Sequence, residues 1–160
     1  MDSYSNTSTN RYITDTNDIY VFFELIRMYN AKSVLDVGML LARCGALSRQ
    51  VKDAVISQDV RLYGIPLYLD ILPVHTKMYN LISSLSALYE DTDVFFDIVF
   101  IIDVDDLFWK ADGKRLIQFL FDHSSRIIIS DDSKDLHAYL QKLCPLTPIT
   151  VDGSKYIMIG

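Results

Sequence analysis

The chain has few of the residues that bind metal through sulfur or cross-link a fold. Its two cysteines, Cys44 and Cys144, lie far apart and outside any CxxC pair, which excludes a zinc-ligand set and a disulfide framework and leaves two buried thiols as the expectation. No apolar run approaches the roughly 20 residues of a spanning helix. The opening stretch MDSYSNTSTNRY lacks the basic-then-apolar layout of a secretory signal. A cytoplasmic protein that makes no use of a membrane is therefore expected. Basic residues are also in the minority, 15 Lys and Arg against 21 Asp and Glu for a net charge of -6, with no basic cluster. That balance argues against a nucleic-acid partner, because binding to a phosphate backbone draws most of its affinity from clustered Lys and Arg. The GxGxxG, GxxxxGK and GxSxG patterns are all missing, so dinucleotide, nucleotidase and hydrolase readings have no support.

What the 160 residues do contain is enough apolar material for a sizeable core, at 50% hydrophobic and a mean hydropathy of +0.17. Residues 1–13 are mostly Ser, Thr, Asn and Asp, which predicts a flexible tail, with one domain over 14–160. Ile19, Phe22, Phe23, Ile26 and Tyr29 follow helical spacing, with Thr16 or Asn17 as N-cap and Asn30 near the stop. KSVLDVG reads as a buried strand, RLYGIPLYL as a second strand cut short by Pro66, and Ala46, Leu47 and Val51 as a short helix between them. Val74, Met78, Leu81, Ile82, Leu85, Leu88 and Tyr89 predict one long amphipathic helix. FFDIVFIID is the most hydrophobic strand and should be central. A helix through Leu116–Phe121, a strand RIIIS, a helix through Leu136–Leu143 and a hairpin PITV-DGS-KYIMIG close the chain. Strands separated by helices imply a doubly wound, mostly parallel α/β sheet with helices on both faces and an antiparallel hairpin at its end.

This order, with Asp36 and Gly38 in the first turn, resembles the Rossmann-like class of S-adenosylmethionine-dependent methyltransferases over about residues 31–160. The family's first motif has an acidic residue, a glycine and two further glycines; LDVG matches its opening, and Met39 to Cys44 then precede Gly45. The resemblance implies S-adenosylmethionine as cofactor, held by Asp36, Gly38, Met39, Gly45, Asp70 and Asp103. Leu40 and Leu41 stand where glycines normally let the backbone approach a ligand. Asp36 as a plain turn cap and Gly38 as a strand breaker is the alternative. The ribose-gripping acid expected after the second strand is replaced by Pro66, with Asp70 a few residues on.

Asp103, Asp105 and Asp106 follow the central strand, and Asp131 and Asp132 follow the next. Such carboxylates suit Mg²⁺ or Ca²⁺, in an arrangement similar to that of the metal-dependent catechol O-methyltransferase type. Asp106 and Asp132 also precede helical stretches, where capping is the simpler account, so no metal ligand is assigned. Asp103 is the candidate catalytic residue, as substrate acceptor or general base. His75, His123 and His137 lack ligand spacing and fall at surface or helix-end positions. The Asn/Asp-Pro-Pro-aromatic signature of base amino-methylation is absent. Leu107, Phe108 and Trp109 read as core, as a self-association surface for a homodimer or partner subunit, or as a pocket wall.

Two readings result. One is methyl transfer to an oxygen or nitrogen of a small molecule. The other is a non-catalytic scaffold or regulatory subunit with a degenerate cofactor site, favoured by Leu40, Leu41 and Pro66 and by the apparent lack of a strand between the second and central ones.

Overall fold

A computed structural model describes residues 17–43, 59–67, 79–102, 104–130, 134–151 and 153–160. Among these residues seven strands form one sheet in the order β3-β2-β1-β4-β5-β7-β6. These are β1 (Ser33–Val37), β2 (Arg61–Ile65), β3 (Asn80–Leu81), β4 (Phe96–Ile101), β5 (Ser124–Ser130), β6 (Thr147–Val151) and β7 (Ser154–Ile159). The first five are parallel, and β7 runs antiparallel to both β5 and β6. This is the Rossmann-like architecture expected from the alternation of strands and helices.

Alternation along each strand sends side chains to two cores. Leu35, Val37, Ile65, Val99, Ile101, Ile127 and Ile129 pack under α2 (Leu85–Glu90) and the helices that follow β4. Val34, Leu62, Ile98, Phe100 and Ile128 pack on the other face beneath α1 (Asn17–Met28). All five β1 residues are buried, as a strand covered on both faces requires. Phe22 of α1 stacks on Phe100 of β4 at 3.9 Å between ring centroids, a geometry worth about 0.5–1.5 kcal/mol beyond the area it buries. The helix stops at Asn30, whose left-handed φ of 50° lets Ala31 N–H reach Ile26 O at 3.0 Å and Asn30 N–H reach Arg27 O at 3.2 Å. That is the Schellman ending, with asparagine in place of glycine.

The long helix expected through Val74–Tyr89 is corrected. Val74 and Met78 lie outside the described residues, Asn80–Leu81 is a strand parallel to β2, and the helix covers only Leu85–Glu90. Ser84 starts it: the residue is extended, and its hydroxyl accepts Ala87 N–H at 3.1 Å, an N-cap that breaks the apparent period. Leu81, assigned to the apolar helix face, is instead 55% exposed on the sheet edge. The strand thought to be missing before the central one is therefore present, as two residues. The Ala46–Val51 helix and the 1–13 tail fall outside the described residues, while β2 does end just before Pro66.

After β4 the chain forms α3 (Asp106–Phe108), a π-helical turn Trp109–Gly113 and α4 (Lys114–Phe121), then β5 and α5 (Lys134–Gln141). Phe108 and Trp109 are core, packed edge to face at 5.1 Å, whereas Leu107 is exposed. The wider turn is matched to Gly113: a Cβ there would collide with Trp109 Cε3. Alanine normally gains about 1 kcal/mol over glycine inside a helix. Here Gly113→Ala is expected to destabilise by about 1–3 kcal/mol, because the rigid indole must shift within a packed core. Urea denaturation checks the sign, and a stabilised variant would contradict this packing.

Candidate functional site

The strand order reverses between β1 and β4: the chain passes from β1 outward to β2 and β3, then returns to β4 on the other side. Open α/β sheets place ligands outside the carboxyl ends of the strands at such a switch point. β1 reaches it as Asp36-Val37-Gly38. Gly38 has φ 83° and Met39 φ 53°, so two successive residues are left-handed and the chain turns back over the sheet into a 3₁₀ turn, Leu40–Arg43. Gly38 suits that conformation and Met39 pays a strain cost for it.

Asp36 is the centre of this turn. Its side chain is fully buried and accepts Leu40 N–H on Oδ1 at 2.9 Å, Leu41 N–H on Oδ2 at 3.1 Å, and the Tyr79 hydroxyl on Oδ2 at 2.6 Å. The Tyr79 oxygen in turn accepts Ala42 N–H at 3.2 Å, a hydrogen shared with Met39 O at 3.1 Å. Gly38 N–H extends the β1–β2 ladder to Ile65 O at 2.9 Å, and Met39 N–H closes on Asp36 O at 3.2 Å. All five backbone N–H groups from Gly38 to Ala42 are thus taken within the fold. Asp36 caps the turn.

Leu40 and Leu41 belong to the hydrophobic core. With Met39 and Ala42 they are fully buried in the core beneath α1. The glycine-poor turn is hydrophobic because it fills that layer. Met39 lies over β2, where a Cβ on Gly64 would come within 2.9 Å of its Cγ.

Of the other expected contacts, Gly45, Asp70 and Asp103 lie outside the described residues, as do Asp131, Asp132 and His75. Asp105 accepts Phe108 N–H on Oδ1 at 2.9 Å, so the residue that caps this helix is Asp105 and not the expected Asp106, which is the helix's first residue. No group of three His, Cys, Asp or Glu side chains with metal-holding geometry occurs among the described residues. His123 Nδ1 is 2.9 Å from Val94 O and its ring stacks on Phe119; it precedes β5, at the end of the sheet away from the crevice. The half-buried Cys144 thiol is 3.7 Å from Leu140 O, and burial pushes its pKa up, which keeps it a thiol at neutral pH. No described helix is long and apolar enough to cross a membrane. Tyr79 was not singled out from the sequence, because it fell within the supposed helix.

No protein-family model matches the chain, and no curated protein matches it in sequence. Solved structures do. A Staphylococcus aureus protein assigned as a caffeoyl-CoA O-methyltransferase has a TM-score of 0.63 at 17% identity, covering 92% of this chain and 84% of its own. The precorrin-6y C5,15-methyltransferase of Geobacter metallireducens gives 0.60 at 14%, covering 94% and 90%. A Bacillus cereus O-methyltransferase in complex with SAH gives 0.58 at 13%, covering 96% and 83%. The fold is that of these methyltransferases. Ribosomal RNA methylases share it as well, so the fold itself is neutral between small and macromolecular substrates.

Asp36→Asn keeps the side chain's shape but replaces an acceptor oxygen with a donor facing N–H and O–H groups. The mismatch is expected to cost about 1–3 kcal/mol per unsatisfied buried group. A fall in the urea midpoint checks it, and wild-type stability would show that the network carries no weight.

Proposed function

We propose that the chain is an S-adenosylmethionine-dependent methyltransferase acting on an oxygen or nitrogen nucleophile of a small molecule, with its crevice at the carboxyl ends of β1 and β4. The observation that carries this reading is the destination of Met39, Leu40 and Leu41. Their side chains are buried in the core beneath α1, so the loss of the motif's later glycines need not fill the crevice. Gly38, without a side chain, sits at the exit from β1. The cofactor, when bound, supplies an activated methyl group on a sulfonium.

The chain's contribution is then mainly positioning. Gly38 and Met39 present backbone, Asp36 acts through the turn it braces, and Gly45 and Asp70 are the proposed further contacts. Asp103, directly after the central strand, accepts the proton that the nucleophile loses as its new bond to carbon forms. A small-molecule acceptor is supported by the net charge of -6, which disfavours a phosphate backbone.

One observation favours a second reading, a non-catalytic scaffold or regulatory subunit. The N–H groups from Gly38 to Ala42 are all engaged within the fold, so none of them is free for a cofactor carboxylate. Calorimetry of the full chain against S-adenosylmethionine and S-adenosylhomocysteine, with and without Mg²⁺, separates the two. Saturable 1:1 binding of both ligands, unchanged by Mg²⁺, is expected. Absence of heat with either, together with concentration-dependent dimerisation in sedimentation, would instead establish the scaffold reading.

A further inference from the structure

Tyr79 lies immediately before the edge strand β3, yet its hydroxyl ends at the first turn, two strands away. The ring crosses β2 at Gly64, where a Cβ would stand 2.6 Å from Tyr79 Cδ1 and 3.0 Å from Cε1. A glycine inside a strand often marks such a close approach, and here the approaching group is the phenol. Beyond Gly64 the hydroxyl donates to Asp36 Oδ2 at 2.6 Å and accepts Ala42 N–H at 3.2 Å. Three parts of the chain therefore meet at one oxygen: the approach to β3, the end of β1 and the 3₁₀ turn.

Packing accounts for the ring and not for the hydroxyl. Phenylalanine would fill the same volume over Gly64, but only a hydroxyl can donate to a carboxylate and accept from an amide at once. The donated bond shares Oδ2 with Leu41 N–H, so it bears on the rotation of the Asp36 carboxylate. That rotation in turn sets the directions of the Leu40 and Leu41 amides. Freedom lost before a ligand arrives is not lost again when it binds.

We propose that Tyr79 is a positioning residue of the cofactor turn. Its hydroxyl locks Asp36 and the Leu40–Ala42 backbone in the arrangement that shapes the crevice at Gly38 and Met39. The proposal rests on the methyltransferase reading for its consequence, tighter cofactor binding, but the lock itself belongs to the ligand-free protein. The two can therefore fail separately.

The test compares the full-length chain with Y79F, using Tyr63→Phe on the same sheet as a control for loss of a tyrosine hydroxyl outside the turn. Amide hydrogen exchange is followed by NMR at Leu40, Leu41 and Ala42, with Val99 and Ile128 reporting global opening. S-adenosylhomocysteine affinity is measured by calorimetry. In Y79F the turn amides should exchange about tenfold faster, over and above any change at Val99 and Ile128, and the dissociation constant should rise about tenfold, the scale of one ordinary hydrogen bond. The control should show neither selective change. Turn amides that move no more than the global reporters would overturn the proposal, as would unchanged affinity in Y79F against a wild type that binds. If the wild type takes up no ligand, the methyltransferase reading falls and the exchange data alone decide the role of Tyr79.

Discussion

A carboxylate with no access to solvent must find its donors inside the fold, and the first turn is arranged around meeting that demand for Asp36. Among the described residues the Leu40 and Leu41 amides, just ahead in the backbone, and the Tyr79 hydroxyl donate to it. Buried polar groups left short of partners cost more than a formed hydrogen bond gains, so the chain after Gly38 has little freedom to do anything but fold back. That return sends Met39, Leu40 and Leu41 into the layer between α1 and the sheet. A glycine-rich turn would leave that layer underfilled, and voids of that kind destabilise. The apolar character of the turn and the burial of Asp36 are thus two sides of one packing solution.

The same solution shows why only one glycine is needed there. Positive φ is required at two positions, 38 and 39. At the second, methionine accepts a strained conformation, of order 1–3 kcal/mol, and offsets it by burying a long flexible side chain, itself worth about 1.5–3 kcal/mol. The two terms are comparable, so a departure from a glycine-rich motif does not by itself mean that the turn has lost its shape.

Much of the fold is legible in the sequence, because its strongest signals are local. β1, β2, β4, β5 and the closing hairpin are short apolar runs bounded by Gly, Pro or polar residues, and each appears where those limits place it. β3 is not legible in that way. Two residues carry no period of their own, and Leu81 and Ile82 fall in step with Leu85, Leu88 and Tyr89, so a helical pattern absorbs them. The Ser83-Ser84 pair was the signal to stop, since Ser84 is an N-cap. The candidate site was legible as a place but not as a set of contacts. Asp36 and Gly38 mark the turn, whereas the route of Leu40 and Leu41 depends on whether α1 leaves room beneath them, a tertiary fact. Tyr79 did leave a trace: Gly64 interrupts an otherwise bulky strand, which implies a large neighbour without naming it.

The constraint around Asp36 also bears on how any ligand is held at this end of the sheet. On the proposed reading, a crevice whose nearest N–H groups are already paired leaves anion recognition to groups farther along the chain. Affinity then comes less from charge-assisted bonds, the strong ones, and more from surfaces that fit without adjustment. Such fit is sensitive to rigidity, because every rotation frozen on binding subtracts from what contact contributes. On that reading the network that uses up the turn's donors has two effects at once: it removes polar anchors from the crevice and, by the same bonds, fixes the backbone that a ligand would meet.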